Sequence, residues 1–269
     1  MKCTLSAPLL AKAMEELNEP EDNTERLAAI DKLRESFSKN QKGYQLHCSD
    51  DAFILRFLWA RKFDHDRALA MLLNYHKQRN SWSEVFEKVN NPTLLTPLLD
   101  AGCVFGMPSG GKDGTSLFMG RPGKQKDMIF TDFVAGLFLT VEKMLENEEM
   151  QIHGLTVIED LSYMDLDLAK QMGPASAKRF LNLLQDCLPV RVKCVSLVNE
   201  PTVFDVLFKI VQPFMKEKTR KRLRVIGNSY EKLHEVVDPA KLPAAYNGTG
   251  PEVDTEGWKR TLLGRGTNI

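Results

Sequence analysis

A glycine-rich run in the first half of the chain has the residue types of a phosphate-binding loop. Residues 106–113, GMPSGGKD, fit the spacing GxxxxGK, in which backbone N–H groups and a lysine cradle phosphate. The run ends in Asp113, where such a loop needs a Ser or Thr hydroxyl to hold Mg²⁺. Residues 115–120, which follow, have the pattern of a strand and not of a helix whose N-terminus would hold phosphate. We therefore interpret the run as the turn of a β-hairpin.

Acidic residues between positions 159 and 167 are the next candidates for chemistry. Carboxylates grouped in this way suit metal binding or general acid–base catalysis; the group comprises Glu159, Asp160, Asp165 and Asp167. A solvated strand end followed by a helix cap is the other interpretation, and the sequence favours it. The nucleophile motif GxSxG is absent, and no cysteine lies in a known catalytic signature. The chain is expected not to be an enzyme.

Composition excludes several further classes. The 269 residues carry 36 Lys and Arg against 36 Asp and Glu, so no whole-protein field attracts nucleic acid, and no nucleic-acid partner is expected. The five cysteines form no CxxC pair and the histidines form no HExxH pair, so no metal, cofactor or disulfide framework is predicted. The sequence has no run of 18 apolar residues, so no membrane-spanning segment is predicted. Residues 1–10 lack the basic and then apolar pattern of a signal peptide. We expect a cytoplasmic monomer with free thiols.

The elements that must position any site change character along the chain. Residues 24–81 are poor in glycine and dense in charge, and apolar residues at helical spacing predict a small helical module. From about residue 100, strand-like and helix-like stretches alternate, which predicts an α/β domain with a largely parallel sheet. The predicted strands are 103–105, 116–119, 155–158, 192–198 and 223–226, and the predicted helices are 131–145, 175–187 and 201–214.

The last of these helices is the most informative stretch. Residues 201–214, PTVFDVLFKIVQPF, are apolar on nearly every face, and a helix of that kind is normally buried. Six basic residues and one acid follow at once in residues 216–224, and an apolar helix beside a basic cluster also suits contact with an anionic bilayer. Charge is segregated along the chain: residues 188–226 hold nine basic and three acidic residues, whereas residues 142–167 hold one basic and eight acidic residues. Both interpretations stay open.

Several motifs in this chain resemble the CRAL-TRIO family of lipid-transfer proteins. Residues 51–64, DAFILRFLWARKFD, resemble the helical N-terminal signature, and residues 177–223 resemble the core signature. Gly227, the Leu-Pro pair at 242–243 and the Tyr-Asn-Gly run at 246–248 continue the likeness, which covers about 24–250. The nearest subgroup is that of the tocopherol-transfer and retinaldehyde-binding proteins.

The resemblance implies an α/β fold with a mixed, largely parallel sheet and a mobile helix that gates an apolar cavity. It divides the chain into an N-terminal extension (1–23), an all-helical lobe (24–90), a lipid-binding lobe (91–250) and a C-terminal tail (251–269). The implied gate residues are Val203, Phe204, Val206, Leu207, Ile210, Val211 and Phe214. The implied cavity residues are Leu137, Val141, Leu155, Glu159, Leu166, Met172, Phe180, Leu183, Leu184, Leu188 and Val195.

Two alternatives accompany these assignments, because a cavity wall and a core face look alike in sequence. The apolar positions fit ordinary core packing equally well. Glu159 matches a carboxylate that lies beside ligand in the retinaldehyde-binding relative, and a buried carboxyl is costly unless a ligand hydroxyl or a base such as Arg179 pairs with it. A structural glutamate with its own partners is the other interpretation.

Basic residues beside the gate bind phosphatidylinositol phosphates in the tocopherol-transfer relative. The matching positions are all basic here: Arg61, Arg191, Lys193 and Arg222. Arginine suits phosphate because its planar fork donates two charge-assisted hydrogen bonds. A solvated basic face is the alternative. Trp59 stands where the family motif has an arginine, which predicts either weaker headgroup contact or an interfacial aromatic anchor.

Together these observations predict a cytoplasmic carrier of a hydrophobic small molecule. Its ligand would be a retinoid, a tocopherol or a similar lipid, transferred at phosphoinositide-containing, anionic membranes. A lipid-sensing regulatory module that acts through a protein partner is the alternative. An enzyme acting on a lipid or nucleotide would require catalysis by Glu159 or Lys112.

Overall fold

The computed structural model describes residues 5–41 and 43–264, so Cys3 lies outside the described part of the chain. The other four cysteines are free thiols. The first half of the chain is helical: α1 Ala7–Leu17, α2 Asn23–Asn40, α3 Asp51–Ala60, α4 His65–Ser81, α5 Ser83–Asn90 and α6 Thr96–Asp100. The second half alternates: β1 Val104–Met107, β2 Ser116–Gly120, α7 Phe130–Met144, α8 Glu148–His153, β3 Leu155–Asp160, α9 Leu166–Gln171, α10 Pro174–Asn182, β4 Val192–Val198, α11 Phe204–Val211, α12 Glu217–Arg222, β5 Leu223–Gly227, α13 Tyr230–His234 and α14 Thr255–Leu263.

Local sequence signals explain the helical lobe. Asp22 and Asp64 cap α2 and α4, since each side chain accepts a hydrogen bond from a backbone N–H of the first turn. The apolar stripes of α2, α3 and α4 meet in a single core, where Phe53, Phe57 and Tyr75 pack ring edge against ring face. These aromatic pairs stabilise the lobe by more than their buried area alone provides, because they adopt edge-to-face geometry.

The five strands form one sheet in the order β1-β2-β3-β4-β5. The first pair is antiparallel and the other three pairs are parallel, so the predicted mixed, largely parallel sheet is confirmed. β1 and β2 are joined by a turn in which the Gly111 N–H donates to the Thr115 carbonyl at 3.0 Å and Asp113 accepts from the Thr115 hydroxyl. The glycine-rich run is therefore a hairpin turn, as the sequence indicates.

Side-chain alternation gives the sheet two different faces. One face carries Leu117, Ile158 and Val198, which pack with Leu233, Val237 and Tyr246 in a small closed core. The opposite face carries Phe118, Val157 and Val195 and turns toward α7, α10 and α11. The pairing of β3 with β4 contains a one-residue bulge in β4. Leu155 pairs with Val192 and Thr156 pairs with Cys194, which leaves Lys193 as the extra residue.

Several elements differ from the sequence-based prediction. The helix predicted at 201–214 begins at Phe204 and ends at Val211, followed by a 3₁₀ turn at Gln212–Phe214. The helix predicted at 175–187 ends at Asn182, and a π turn, Leu183–Cys187, completes it. α1 lies inside the predicted extension and α14 inside the predicted tail. Both were missed because short helices at chain ends depend on tertiary packing more than on their own propensity.

Candidate functional site

A cavity of about 740 Å³ lies between the sheet and the helices that cover it. Its floor is formed by β2, β3 and β4, which contribute Phe118, Val157 and Val195. Its walls come from α7, α9 and α10, and its roof comes from α11. The volume lies within the range of about 300–1,000 Å³ that is typical of small-molecule pockets. The lining is mostly apolar, so the space suits a hydrophobic molecule.

Most residues that the resemblance implied for the cavity lie in its lining: Leu137, Val141, Leu155, Glu159, Met172, Phe180, Leu184, Leu188 and Val195. Leu183 lies elsewhere, fully buried in the packed core. Leu166 also lies elsewhere, because it begins α9 with 58% of its surface exposed to solvent. The sequence pattern could not separate these two from the cavity wall, since all of these positions are apolar.

The roof helix α11 is amphipathic in its observed position. Phe204, Leu207 and Val211 face the cavity, and the ring of Phe208 stacks on that of Phe204 with centroids 5.4 Å apart. The remaining implied gate residues do not line the cavity: Val203, Ile210 and Phe214 pack at its edge, and Val206 is 60% exposed. The exposed Val206 side chain leaves an apolar contact on the outer face of this helix.

The π turn before β4 holds the far end of the roof segment through one side chain, Gln185. Its amide nitrogen donates to the Phe214 carbonyl at 3.2 Å, and its amide oxygen accepts from the Lys216 N–H at 2.8 Å and the Thr219 hydroxyl at 2.7 Å. The neighbouring Asp186 forms an ion pair with the Lys216 ammonium. We call these contacts the Gln185 clamp; π turns of this kind are frequent at functional sites.

The cavity opens at a cluster of basic side chains that we call the cationic mouth. Its lining includes all four basic residues implied by the resemblance, which the fold brings together from the residue after α3, the start of β4 with the residue before it, and the end of α12. Lys216 and Lys218 belong to the basic cluster at 216–224 that was predicted to suit membrane contact, whereas the sequence reasoning missed Lys62 and Arg67. The full set is Arg61, Lys62, Arg67, Arg191, Lys193, Lys216, Lys218 and Arg222.

Contacts within the mouth are uneven. Arg191 donates to the Ile152 carbonyl at the end of α8, and Arg222 donates to the Val192 carbonyl at the start of β4. Arg61 donates to the Gln185 carbonyl at 2.8 Å and lies 3.6 Å from the Asp186 carboxylate. Burial, together with the charges of Arg222 and Arg61, lowers the pKa of Lys218 to about 8. Positive charges close enough to lower the pKa of a neighbouring lysine also favour binding of an anion.

Comparison with known proteins agrees with this arrangement. The CRAL/TRIO domain profile matches residues 101–248, and the CRAL/TRIO N-terminal domain profile matches residues 29–74. The chain belongs to the CRAL/TRIO family. An alpha-tocopherol transfer protein-like protein of Mus musculus is 38% identical over 263 residues, covering 97% of this chain and 76% of the relative. Clavesin-1 of Rattus norvegicus is 33% identical, covering 98% of this chain and 75% of the relative.

Among solved structures, Sfh5 shares the fold. Its crystal structure superposes with a TM-score of 0.57 at 18% sequence identity, covering 89% of this chain and 92% of Sfh5. The CRAL/TRIO family consists of lipid-binding and lipid-transfer proteins, so an apolar cavity is what its members need.

Glu159 is the one carboxyl group on the cavity face of β3, and no basic side chain in the described part of the chain is paired with it. Burial and the neighbouring Asp160 raise its pKa from 4.5 to about 8, and its Oε2 atom has no hydrogen-bond partner among the described residues. The carboxyl lies over Gly120 of β2, where a Cβ atom would approach Oε2 to 2.1 Å. Arg179 does not pair with Glu159, because it stacks 4.6 Å above the Trp82 ring and donates to the Ser81 carbonyl.

The raised pKa of Glu159 predicts a pH-dependent loss of stability. The folded protein keeps this proton up to about pH 8, whereas the unfolded chain releases it near pH 4.5, so stability falls between those values and levels off above them. The slope contributed by one such group reaches at most about 1.4 kcal/mol per pH unit. In urea unfolding from pH 5 to 9, Glu159→Gln should lack this decline. Glu149→Gln, at an exposed position, is the control; parallel profiles for all three proteins would contradict the assignment.

The remaining sequence candidates have structural roles. Trp59 is 2% exposed and its indole N–H donates to Glu19, so it is a core residue and not an interfacial anchor. Asp160 accepts from Asn199, Ser162 and the Tyr246 hydroxyl, whose hydrogen bonds lower its pKa against the effect of burial.

The last two acidic candidates also have structural roles. Asp165 caps α9, and Asp167 forms a surface ion pair with Lys170. Within the described residues, no group of three or more His, Cys, Asp or Glu side chains is arranged to hold a metal ion. Within the same residues, none of the helices combines the length and apolar character that crossing a bilayer requires.

Proposed function

We propose that this protein carries a hydrophobic small molecule of retinoid or tocopherol type between membranes and exchanges it at phosphoinositide-containing surfaces. The observation that carries the proposal is an apolar cavity of about 740 Å³ whose roof is a single short helix and whose mouth is cationic. Transfer from water to such a cavity is favourable by about 25 cal/mol for each Å² of apolar surface removed from water. Binding of this kind needs no covalent step, which agrees with a carrier and not with an enzyme.

The buried carboxyl of Glu159 in the cavity floor supports a ligand with one polar end. A protonated Glu159 donates a hydrogen bond, and its unpartnered Oε2 accepts one, so a ligand hydroxyl or carbonyl would relieve the cost of burying this group. Leu137 and Val141 offer no hydrogen bond from the opposite wall. The proposed ligand therefore has a long apolar body and a single oxygen that meets β3.

Identification of the ligand is the direct experiment. The protein is purified gently from eukaryotic cells, extracted with organic solvent and examined by mass spectrometry. We expect one lipid class at close to one molecule per protein, bearing a single hydroxyl or carbonyl. Delipidated protein that rebinds no retinoid, tocopherol or related lipid would contradict the carrier function and favour a module that acts through a protein partner.

The roof helix supplies the proposed route of exchange. α11 buries Phe204, Leu207 and Val211 over the cavity, and a bilayer can cover the same apolar surface if the helix swings outward. Val206 already presents an apolar contact on the outer face. Arg61 links this motion to the mouth, since it contacts both the Gln185 carbonyl and Asp186, next to the Gln185 clamp. An anion that binds Arg61 competes with Asp186 and so weakens the clamp.

Loosening the clamp should speed ligand release. Gln185→Ala removes three hydrogen bonds to the segment after α11, each worth about 1 kcal/mol, so a tenfold faster release of bound lipid is a modest expectation. Release is followed with a fluorescent lipid analogue, and hydrogen–deuterium exchange of residues 204–214 should rise in parallel. Gln212→Ala, which removes an exposed amide from the same segment, is the control. Equal release rates for the two variants would show that Gln185 does not restrain the roof.

The mouth supplies the proposed membrane recognition. Its cations come from the segment after α3, the start of β4 and the region of α12, and they converge where the cavity opens, so a phosphorylated inositol headgroup bound there lies beside the roof helix. Arginine and lysine near an anionic bilayer contribute about 1 kcal/mol each. We therefore place the protein in the cytoplasm, in peripheral contact with anionic membranes during exchange.

A further inference from the structure

The N-terminal helix α1 brings a carboxylate into the cationic mouth. Glu16, on its last turn, lines the cavity opening together with the basic residues. Its Oε2 atom lies 2.9 Å from Arg191 Nη2 and 3.2 Å from Lys193 Nζ, and its Oε1 atom lies 3.0 Å from Lys12 Nζ. Two of the four cations that the resemblance assigns to phosphate therefore already hold an anion that belongs to the protein itself.

The end of α1 is fixed to the helical lobe by contacts on either side of Glu16. Leu17 is fully buried, and the Asn18 side-chain amide donates to the Lys62 carbonyl at 3.1 Å. Glu19 is buried and accepts hydrogen bonds from Trp59 and Arg26. The backbone of this turn is thus held in place. The Glu16 side chain itself stays 31% exposed, so it can rotate into solvent without unfolding the helix.

We propose that Glu16 is a resident competitor of phosphate: its carboxylate must leave Arg191 and Lys193 before a headgroup phosphate can bind them. This inference rests on the proposed function of the mouth. An internal competitor lowers the apparent affinity for every anion that needs the same two cations, by the fraction of time that the cations are free. A weakly bound, singly charged headgroup then stays unbound. A polyphosphorylated headgroup that also reaches Lys218 and Arg222 retains enough affinity to displace Glu16.

The competitor is charged under all physiological conditions. The hydrogen bond from Arg191 lowers the pKa of Glu16 to about 2, with further lowering by Lys12 and Lys193. Burial acts in the opposite direction and does not prevail. Release of Arg191 and Lys193 therefore needs a competing anion, because no pH change within the cell neutralises Glu16.

The test compares two variants on the same helix. Glu16→Gln removes the competing charge, and Glu15→Gln removes the same charge from a neighbouring exposed position. Binding is measured by sedimentation with phosphatidylcholine vesicles that contain phosphatidylinositol 4,5-bisphosphate, and in parallel with soluble inositol trisphosphate. We expect Glu16→Gln to tighten vesicle binding about fivefold to tenfold, the worth of a half-buried charge pair, and Glu15→Gln to change it less than about twofold. Tighter binding to vesicles than to the soluble compound is expected for a membrane lipid, and equal binding would overturn the assignment to a lipid headgroup.

A double-mutant cycle separates this inference from the proposed function. In Arg191→Ala/Lys193→Ala protein, Glu16→Gln should no longer tighten binding, since the cations that it frees are gone. If the double alanine variant binds vesicles as well as wild type, the phosphoinositide function itself is wrong. The double alanine variant could instead bind vesicles weakly, while Glu16→Gln binds them only as tightly as Glu15→Gln or less tightly than wild type. In that case only the competitor role is wrong. Glu16→Asp, compared with Glu15→Asp, replaces the glutamine pair if Glu16→Gln does not fold.

Discussion

Filling the cavity floor is expected to lower lipid affinity by at least about a hundredfold while the protein stays folded. Val157 and Val195 are register partners on β3 and β4, and both line the cavity. Phenylalanine at both positions places two rings side by side where the ligand body lies. In a packed core, added bulk costs about 1–3 kcal/mol because neighbouring side chains must move. Here the rings extend into the cavity, so the urea unfolding midpoint should change little.

The control for this double variant is Val225→Phe. Val225 lies on β5 beside the same region of the sheet, but it is largely exposed, so its enlargement leaves the cavity unchanged. Binding is measured by titration with the lipid identified by mass spectrometry. Unchanged affinity in the Val157→Phe/Val195→Phe protein would show that ligand binds elsewhere. Loss of the cooperative unfolding transition would show that the floor is packed core.

Reversing the charge of Lys218 is expected to weaken association with phosphoinositide vesicles about thirtyfold. Each basic residue near an anionic surface contributes about 1 kcal/mol, so a change from lysine to glutamate alters binding by about 2 kcal/mol. Lys218 lies in the mouth among cations that lower its pKa, and a carboxylate at that position would instead attract Arg222 and Arg61. The cationic mouth would then hold an internal ion pair. Lipid loading should persist, because the cavity floor is untouched.

Lys221→Glu is the matched control, since Lys221 lies on the same helix and forms an exposed ion pair with Glu217. Its reversal changes the net charge by the same amount without altering the mouth. Both variants are compared on vesicles with and without phosphatidylinositol 4,5-bisphosphate at increasing salt. Equal losses of vesicle binding in Lys218→Glu and Lys221→Glu would mean that binding depends on the overall charge of α12 and that the mouth has no specific role.

The mouth and the roof form one unit through a short chain of contacts. Arg61 contacts the Gln185 backbone and the Asp186 carboxylate, Gln185 clamps the segment after α11, and α11 covers the cavity. Lys218 is not part of this chain of contacts, so loss of binding in the Lys218→Glu protein and faster release in the Gln185→Ala protein should be separable effects. The first changes recognition of the membrane, and the second changes the restraint on the roof.

Local pattern was enough to predict most elements and the faces they present. Residues 192–198 were predicted as a strand and form β4 within the same limits, because alternation and β-branched content are properties of the strand itself. The amphipathic helix at 131–145 was predicted to within one residue at each end. The resemblance to CRAL-TRIO signatures then supplied the fold and four of the residues of the mouth, of which Arg61 and Arg222 lie 161 positions apart.

What the sequence could not decide is which apolar positions surround empty space and which charges meet. Leu184 lines the cavity and Leu183 is packed core, although they are adjacent and identical, because only the packing of α7, α10 and the sheet determines where a void remains. Lys193 occupies a bulge that exists only in the pairing of β3 with β4. Glu16 meets Arg191 across 175 residues of chain. Periodicity is a local property that a sequence displays, whereas voids and long-range ion pairs depend on how the finished elements pack.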